Sequence, residues 1–429
     1  MKKEGFISMT LVYTFLIVFL FLMLAILNAY LDKDKYLEAI NAQINMDITK
    51  NNETRNTLMS AIIRNNPPNA LENSKKKLIY TFDISNSKYA NGKGLYYTDD
   101  INITDENEDG TSGRIYFFRG EVSTNYIVYA EKCFRILRTN EDGSLRIVYN
   151  GPYTGGKCMT RESIGRSKYN DLSDSEKYVK YMYAEDGSEN IEADDSTPHS
   201  KIKEVLDNWY LTEIKNKTVK NKNNEDVSYE KGIADAIYCN DTTEYKTKKS
   251  CGANQCLSRY YGSNSIVPRF KGDEDHSIYN KENITNTVTY KCNTNDGYTL
   301  TTSTGGNKLL FFPVGTLTAV DVALAGGYMT NEFDLYHGGA NKMENKDFFL
   351  YTGEDYWTMS PYATEESYNG ISKIQTAEMV YFNKTGGFLD KSLVTQEHSI
   401  IPVISIKGTN EIVSGNGTSG NPYIVKMEE

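Results

Sequence analysis

The chain has 429 residues, room for a membrane anchor plus one large domain or two ordinary ones, and a net charge of −10 that argues against a nucleic-acid partner. Aromatic residues make up 12%, with 33 Tyr against 2 Trp, a bias that suits strands and half-exposed surfaces and predicts a β-rich body. Six cysteines, none in the apolar N-terminal stretch, exclude a lipidated cysteine anchor and suggest three disulfides in an oxidising compartment.

Residues 6–29 (FISMTLVYTFLIVFLFLMLAILNA) are almost wholly apolar. As a helix, about 24 residues span roughly 36 Å, enough for a bilayer core of about 30 Å. Lys2 and Lys3 precede the stretch, which predicts a single-pass membrane protein with its N-terminus in the cytoplasm and its bulk extracellular. A cleaved secretory signal is disfavoured, because the stretch is long and Leu27-Asn28-Ala29 is a poor cleavage site. A plain signal anchor remains the alternative.

Lys2-Lys3-Glu4-Gly5-Phe6 followed by an apolar helix resembles the type IV prepilin signal. That resemblance implies a leader over residues 1–5, cleavage between Gly5 and Phe6 by a prepilin peptidase, N-methylation of Phe6 and assembly with other pilin-like subunits. Most pilins carry Glu at the fifth mature position, the assembly position, which is Thr10 here. The departure points to a minor or tip subunit. Leu37, Ile40, Ile44 and Ile48 recur at spacings of three and four, Leu58 and Ile62 continue the face, and Pro67-Pro68 end it. We therefore expect an amphipathic stalk helix over residues 30–66 and a linker over 67–92.

Beyond the linker, short β-branched and aromatic runs alternate with Asn, Asp, Gly and Ser clusters. Residues 114–118 (RIYFF), 126–130 (YIVYA), 134–137 (FRIL) and 145–149 (LRIVY) read as strands, the last two joined through Asn140-Glu141-Asp142-Gly143 as a hairpin. Thr197-Pro198 is expected to open a helix with Ile202, Val205, Leu206 and Trp209 as its buried stripe. A second helix opens at Thr318, with Asp321 as acidic capping partner and Gly326-Gly327 as its stop. The order of elements predicts an α+β class.

Several motifs then occur in order, among them Gly94-Leu95-Tyr96-Tyr97, Tyr116-Phe117-Phe118-Arg119-Gly120, Leu206-Asp207-Asn208-Trp209-Tyr210, Phe312-Pro313-Val314-Gly315, Tyr356-Trp357-Thr358-Met359-Ser360-Pro361 and Ile401-Pro402-Val403-Ile404. Over residues 93–425 they resemble a surface domain of low-GC Gram-positive gut bacteria, a distant relative of C-type-lectin-like and formylglycine-generating-enzyme folds. The resemblance implies a long N-terminal helix carrying a β-rich, disulfide-bonded, lectin-like domain over 93–407, with a C-terminal strand or tail over 408–429. Trp357 is expected in the core, and Pro402 at a strand edge or bulge.

Cys133 and Cys158 flank the predicted hairpin, and Cys251 and Cys256 bound a tight loop, which leaves Cys239 with Cys292. Other connectivities stay open. A Cys-x4-Cys spacing also binds copper in formylglycine-generating enzymes, but the residues around this loop do not match. The four histidines are scattered, and no zinc spacing occurs. Asp105, Asn107 and Asp109 copy the opening of a calcium loop, but its twelfth position is Tyr116 instead of Glu, so calcium is a weak candidate and no other cofactor is expected. No nucleophile elbow, phosphate loop or dinucleotide fingerprint appears. The expected function is a pilin-like structural or adhesion protein, a minor or tip pilin binding a glycan or protein ligand. The alternatives are a membrane-anchored binding module without filament assembly and an extracellular enzyme.

Overall fold

The structure, a computed structural model, describes residues 23, 57–70, 93–98, 115–140, 142–159, 161–183, 199–221, 223–261, 292, 296–301, 308–329, 346–385 and 387–427. Turn chemistry decides where its strands begin and end. β4 (Tyr126–Tyr129) and β5 (Lys132–Thr139) form a hairpin whose two turn residues, Ala130 and Glu131, have φ of 47° and 60°. Two successive positive φ values match the twist of the flanking strands, here without the Gly or Asn that usually marks such a turn. β5 then turns into β6 (Leu145–Pro152). In that turn Asp142 Oδ1 accepts from the Ser144 backbone N–H at 2.9 Å and its hydroxyl at 2.6 Å.

These strands lie in a nine-stranded sheet. Its main order is β1 (Asn69–Ala70), β2 (Gly94–Thr98), β3 (Ile115–Arg119), β5, β4, β22 (Tyr423–Lys426) and β21 (Glu411–Ser414), with β6 joining β5 to β20 (Val403–Ile406). An eight-stranded sheet runs β11 (Glu244–Ser250), β12 (Cys256–Tyr261), β16 (Tyr356–Tyr368), β17 (Lys373–Asn383), β18 (Phe388–Leu393) and β15 (Tyr328–Met329). There β19 (Glu397–Ser399) pairs with both β16 and β7 (Arg166–Lys168). β8 (Thr218–Lys220) with β9 (Asp226–Ser228), and β10 (Tyr238–Cys239) with β13 (Gly297–Thr299) and β14 (Lys308–Leu309), make two small sheets.

One apolar core joins the two large sheets, with Phe117, Phe134, Ile147 and Val403 from the first and Trp357, Met379 and Leu389 from the second. Trp357 is fully buried and its Nε1 donates to the Ser167 carbonyl at 2.8 Å, so its one polar group is satisfied. Many tyrosines are also inside rather than half-exposed. Tyr181 and Tyr238 are fully buried, and their hydroxyls donate to the carbonyls of Val314 at 2.9 Å and Pro313 at 2.7 Å.

Three α-helices are described: α1 (Thr57–Asn65), α2 (Lys201–Tyr210) and α3 (Ala319–Ala325). α3 opens as the sequence suggests. Thr318 Oγ1 accepts from the Asp321 N–H at 3.0 Å, and Asp321 Oδ2 accepts from the Thr318 N–H at 3.0 Å. α2 is capped by Ser200, whose Oγ accepts from the Lys203 N–H at 3.3 Å; Thr197 and Pro198 lie outside the described residues. Ile202 and Leu206 are buried, while Val205 and Trp209 are only half-buried.

The α+β expectation is corrected: the described residues are mostly β, and their helices are short elements packed on sheets. Tyr, Val, Ile and Thr in runs broken by Gly and Asn favour strands throughout. The long N-terminal helix and the single-pass membrane placement are corrected as well. Among the described residues no helix is long and apolar enough to cross a membrane. The stretch 6–29 lies outside them except for Met23. The first described helix, α1, spans nine residues, about 14 Å, less than half a bilayer core. It is no free stalk, since Leu58, Met59 and Ile62 sit in the core. Just beyond it, Asn66 Nδ2 donates to the Tyr423 hydroxyl at 3.1 Å, and β1 pairs in parallel with β2. The C-terminal segment is likewise part of the body, with β22 between β4 and β21.

Candidate functional site

β16 and β17 form the longest hairpin described, 13 and 11 residues. Their inner halves are core: Trp357, Met359, Ala363, Ala377 and Met379 are all buried. Their outer halves leave it, and residues 367–374 are exposed without a break. The turn is built for rigidity. Gly370 takes φ 93°, and Asn369 Oδ1 accepts from the N–H groups of Ile371 at 3.0 Å and Ser372 at 2.9 Å. At its apex Ile371 is 89% exposed. Tyr368 and Ile374 flank it, also exposed, on opposite faces because each pairs with a different cross-strand position.

A second hairpin, β11–β12, braces the first. It pairs with β16 at Arg259↔Thr364 and Tyr260↔Ala363. Farther out side chains take over from the ladder. Glu366 Oε2 accepts from the Leu257 N–H at 2.7 Å, Ser258 Oγ accepts from the Glu366 N–H at 3.2 Å, and Lys373 Nζ donates to the Gln255 carbonyl at 2.9 Å. Cys251 and Cys256 are bonded across the tip of this brace, where Cys251 and Gln255 both adopt positive φ. Burial raises the Tyr261 hydroxyl to about 12, against the Thr364 hydroxyl that bonds it at 2.9 Å. Tyr261 therefore stays neutral and seals the base of the paired hairpins.

The best nucleophile–base geometry among the described residues lies in the same sheet. His398 Nε2 is 2.9 Å from Ser392 Oγ, and the imidazole stacks on Tyr381 at 4.2 Å and meets Trp357 edge-on at 4.5 Å. Burial lowers the His398 pKa to about 4, opposed by Asp355 and reinforced by Arg166, so the ring is neutral at pH 7. Activating Ser392 would require Nε2 to accept and Nδ1 to carry the proton. Nδ1 is buried without a partner, so that tautomer leaves an N–H unmet, at about 1–3 kcal/mol. The other tautomer donates Nε2–H to Ser392 and leaves a packing contact. Among the described residues no third group orients the pair.

All six cysteines are bonded, as Cys133–Cys158, Cys239–Cys292 and Cys251–Cys256. The closed Cys251–Cys256 bridge removes the thiol pair that a copper site would use. No group of three or more His, Cys, Asp or Glu side chains among the described residues could hold a metal ion. The weak calcium candidates Asp105, Asn107 and Asp109 lie outside the described residues, as do the processing positions Gly5 and Phe6 and the assembly position Thr10. The sequence reading missed the exposed tip altogether, although Asn369-Gly370 between two runs of strand-forming residues was its signal. No family model, curated protein or solved structure matches the chain.

Proposed function

We propose that the protein is a disulfide-braced attachment module that presents the β16–β17 tip to an apolar pocket on a protein partner. The observation that carries this reading is Ile371, an 89% exposed aliphatic side chain held at the apex of a hydrogen-bonded turn. An exposed apolar group on a fixed scaffold loses little conformational freedom on docking, which favours recognition over solubility. The adhesion reading of the sequence belongs to the same class of function. Arrays of purified glycans and matrix proteins, probed with the full chain and with Ile371→Asp, test it. We expect binding to protein members that falls at least about tenfold in the variant. Binding that survives the substitution rejects the tip as the recognition element, and conversion of an array member would argue for an enzyme instead.

Pilin-type processing at Gly5 and Phe6 is a separate proposal, supported by the leader resemblance alone. Intact N-terminal mass analysis decides it. A chain beginning at methylated Phe6 supports assembly with pilin-like subunits, and one that retains residues 1–5 rejects it.

A further inference from the structure

Two arginines of the nine-stranded sheet region meet no carboxylate among the described residues. Arg135, on β5, is only 3% exposed. Its Nε donates to Asn125 Oδ1 and its Nη2 to the Val122 carbonyl. The guanidinium lies 3.9 Å from the centre of the Tyr126 ring and 5.2 Å from that of Phe349. Arg161 donates from Nη1 to the Tyr351 carbonyl and from Nε to Asn150 Oδ1 at 3.3 Å. Every acceptor these groups have is neutral. Nη1 of Arg135 and Nη2 of Arg161 donate to nothing among the described residues, and neither is sealed from solvent.

Local structure holds the two together. Cys133 is two residues before Arg135, on the same side of the strand, and it is bonded to Cys158, three residues before Arg161. The β5–β6 register jumps from Cys133↔Gly151 to Phe134↔Tyr149, which leaves Asn150 as the extra residue of a bulge. Bulges re-aim side chains, and here Asn150 serves Arg161. Burial lowers the Arg135 pKa to about 9, Tyr126 opposes, and the charge of Arg161 lowers it further. Burial lowers Arg161 as well. Guanidinium groups stay charged at pH 7, and the charge of Arg161 disfavours that of Arg135. A buried charge without a counter-charge is unfavourable unless something completes the site.

We propose that Arg135 and Arg161 form a binding site for a dianionic oxyanion, a phosphate or sulfate ester group of a ligand. Two positive charges and the free Nη donors suit a tetrahedral dianion better than a single planar carboxylate. The Cys133–Cys158 bridge and the Asn150 bulge are positioning elements. The site is independent of the hairpin tip and stands whether or not that tip binds a protein.

Isothermal titration calorimetry and thermal unfolding of the full chain test the site with inorganic phosphate, sulfate and acetate, at ionic strength fixed with chloride. We expect saturable binding of phosphate or sulfate and a rise in Tm that chloride does not produce. Arg161→Gln should weaken binding at least about tenfold, and Arg161→Lys, which keeps the charge but loses the fork, should fall between. Tighter phosphate binding assigns a phosphate ester, and tighter sulfate binding a sulfate ester. The proposal is overturned by no saturable binding of either dianion, by acetate binding as tightly, or by equal affinities in wild type and both variants.

Discussion

Arg138 and Arg135 stand on one strand, both inside the protein, and the fold treats them oppositely. Arg138 Nε meets Asp321 Oδ1 at 3.0 Å, and its Nη1 donates to Asn140 Oδ1 at 3.0 Å. The carboxylate that receives it also caps α3 through Thr318. Burial pushes the Asp321 pKa up, but the charges of Arg138 and Arg146 outweigh it and hold the carboxyl below its ordinary value. Arg135 has only a side-chain amide, a backbone carbonyl and two rings. At Arg138 the fold supplies a buried guanidinium with a carboxylate. Arg135 and Arg161 have none among the described residues, and there a ligand can supply the counter-charge.

The sharpest way to break this contrast is Asp321→Ala. The substitution strands Arg138 without its counter-charge and removes the carboxylate half of the α3 capping box, while Thr318 Oγ1 keeps the backbone N–H of residue 321. Breaking a buried pair by removing one partner costs about 3–5 kcal/mol, which dominates the loss of the capping bonds. Denaturant unfolding should show a midpoint lowered to match. A loss under about 1 kcal/mol would mean that Arg138 is no better compensated than Arg135.

Part of this arrangement was legible in the sequence. The Thr318–Asp321 cap could be read because its partners are three residues apart and announce a helix start. The β5–β6 hairpin was legible from alternation around an Asp-Gly turn. The cysteine pairing followed from positions flanking that hairpin and a short loop. The arginine pair was not legible, because Arg135 and Arg161 meet only through a disulfide and a bulge that no local pattern marks. The Ala130-Glu131 turn carried no Gly or Asn to reveal its positive φ. Over residues 57–65 the helix itself is present, and the stalk reading failed there for a different reason. Leu58 and Ile62 do lie on one helical face, but periodicity cannot tell a stalk from a short helix docked on its own domain.

His398 offers a third way to hold a buried ionisable group: keep it neutral. With its pKa lowered from 6.5 to about 4, the folded protein binds fewer protons there than the unfolded chain between those values. Its contribution is complete above about pH 6.5 and is lost as pH falls toward 4. We expect stability to decline across that window by on the order of 1 kcal/mol once solvent screening is allowed for. His398→Phe keeps a ring between Tyr381 and Trp357 and should flatten the decline. An unchanged pH slope in the variant would assign the decline to other groups.

The smallest expected effect is the most informative. Arg161→Gln removes a charge that the surroundings already disfavour and that repels Arg135. It also gives up bonds to the Tyr351 carbonyl and Asn150, of which the shorter amide can keep at most a part. The two changes oppose each other, so stability without added anion should stay within about 0.5–1 kcal/mol of wild type. Phosphate or sulfate should then raise the Tm of wild type and leave the variant where it is, bringing the two apart only when the ligand is present. That pattern belongs to a binding residue. If Arg161→Gln instead costs as much as Asp321→Ala in plain buffer, the second arginine is structural too. The difference between the two halves of β5 would then be one of geometry and not of purpose.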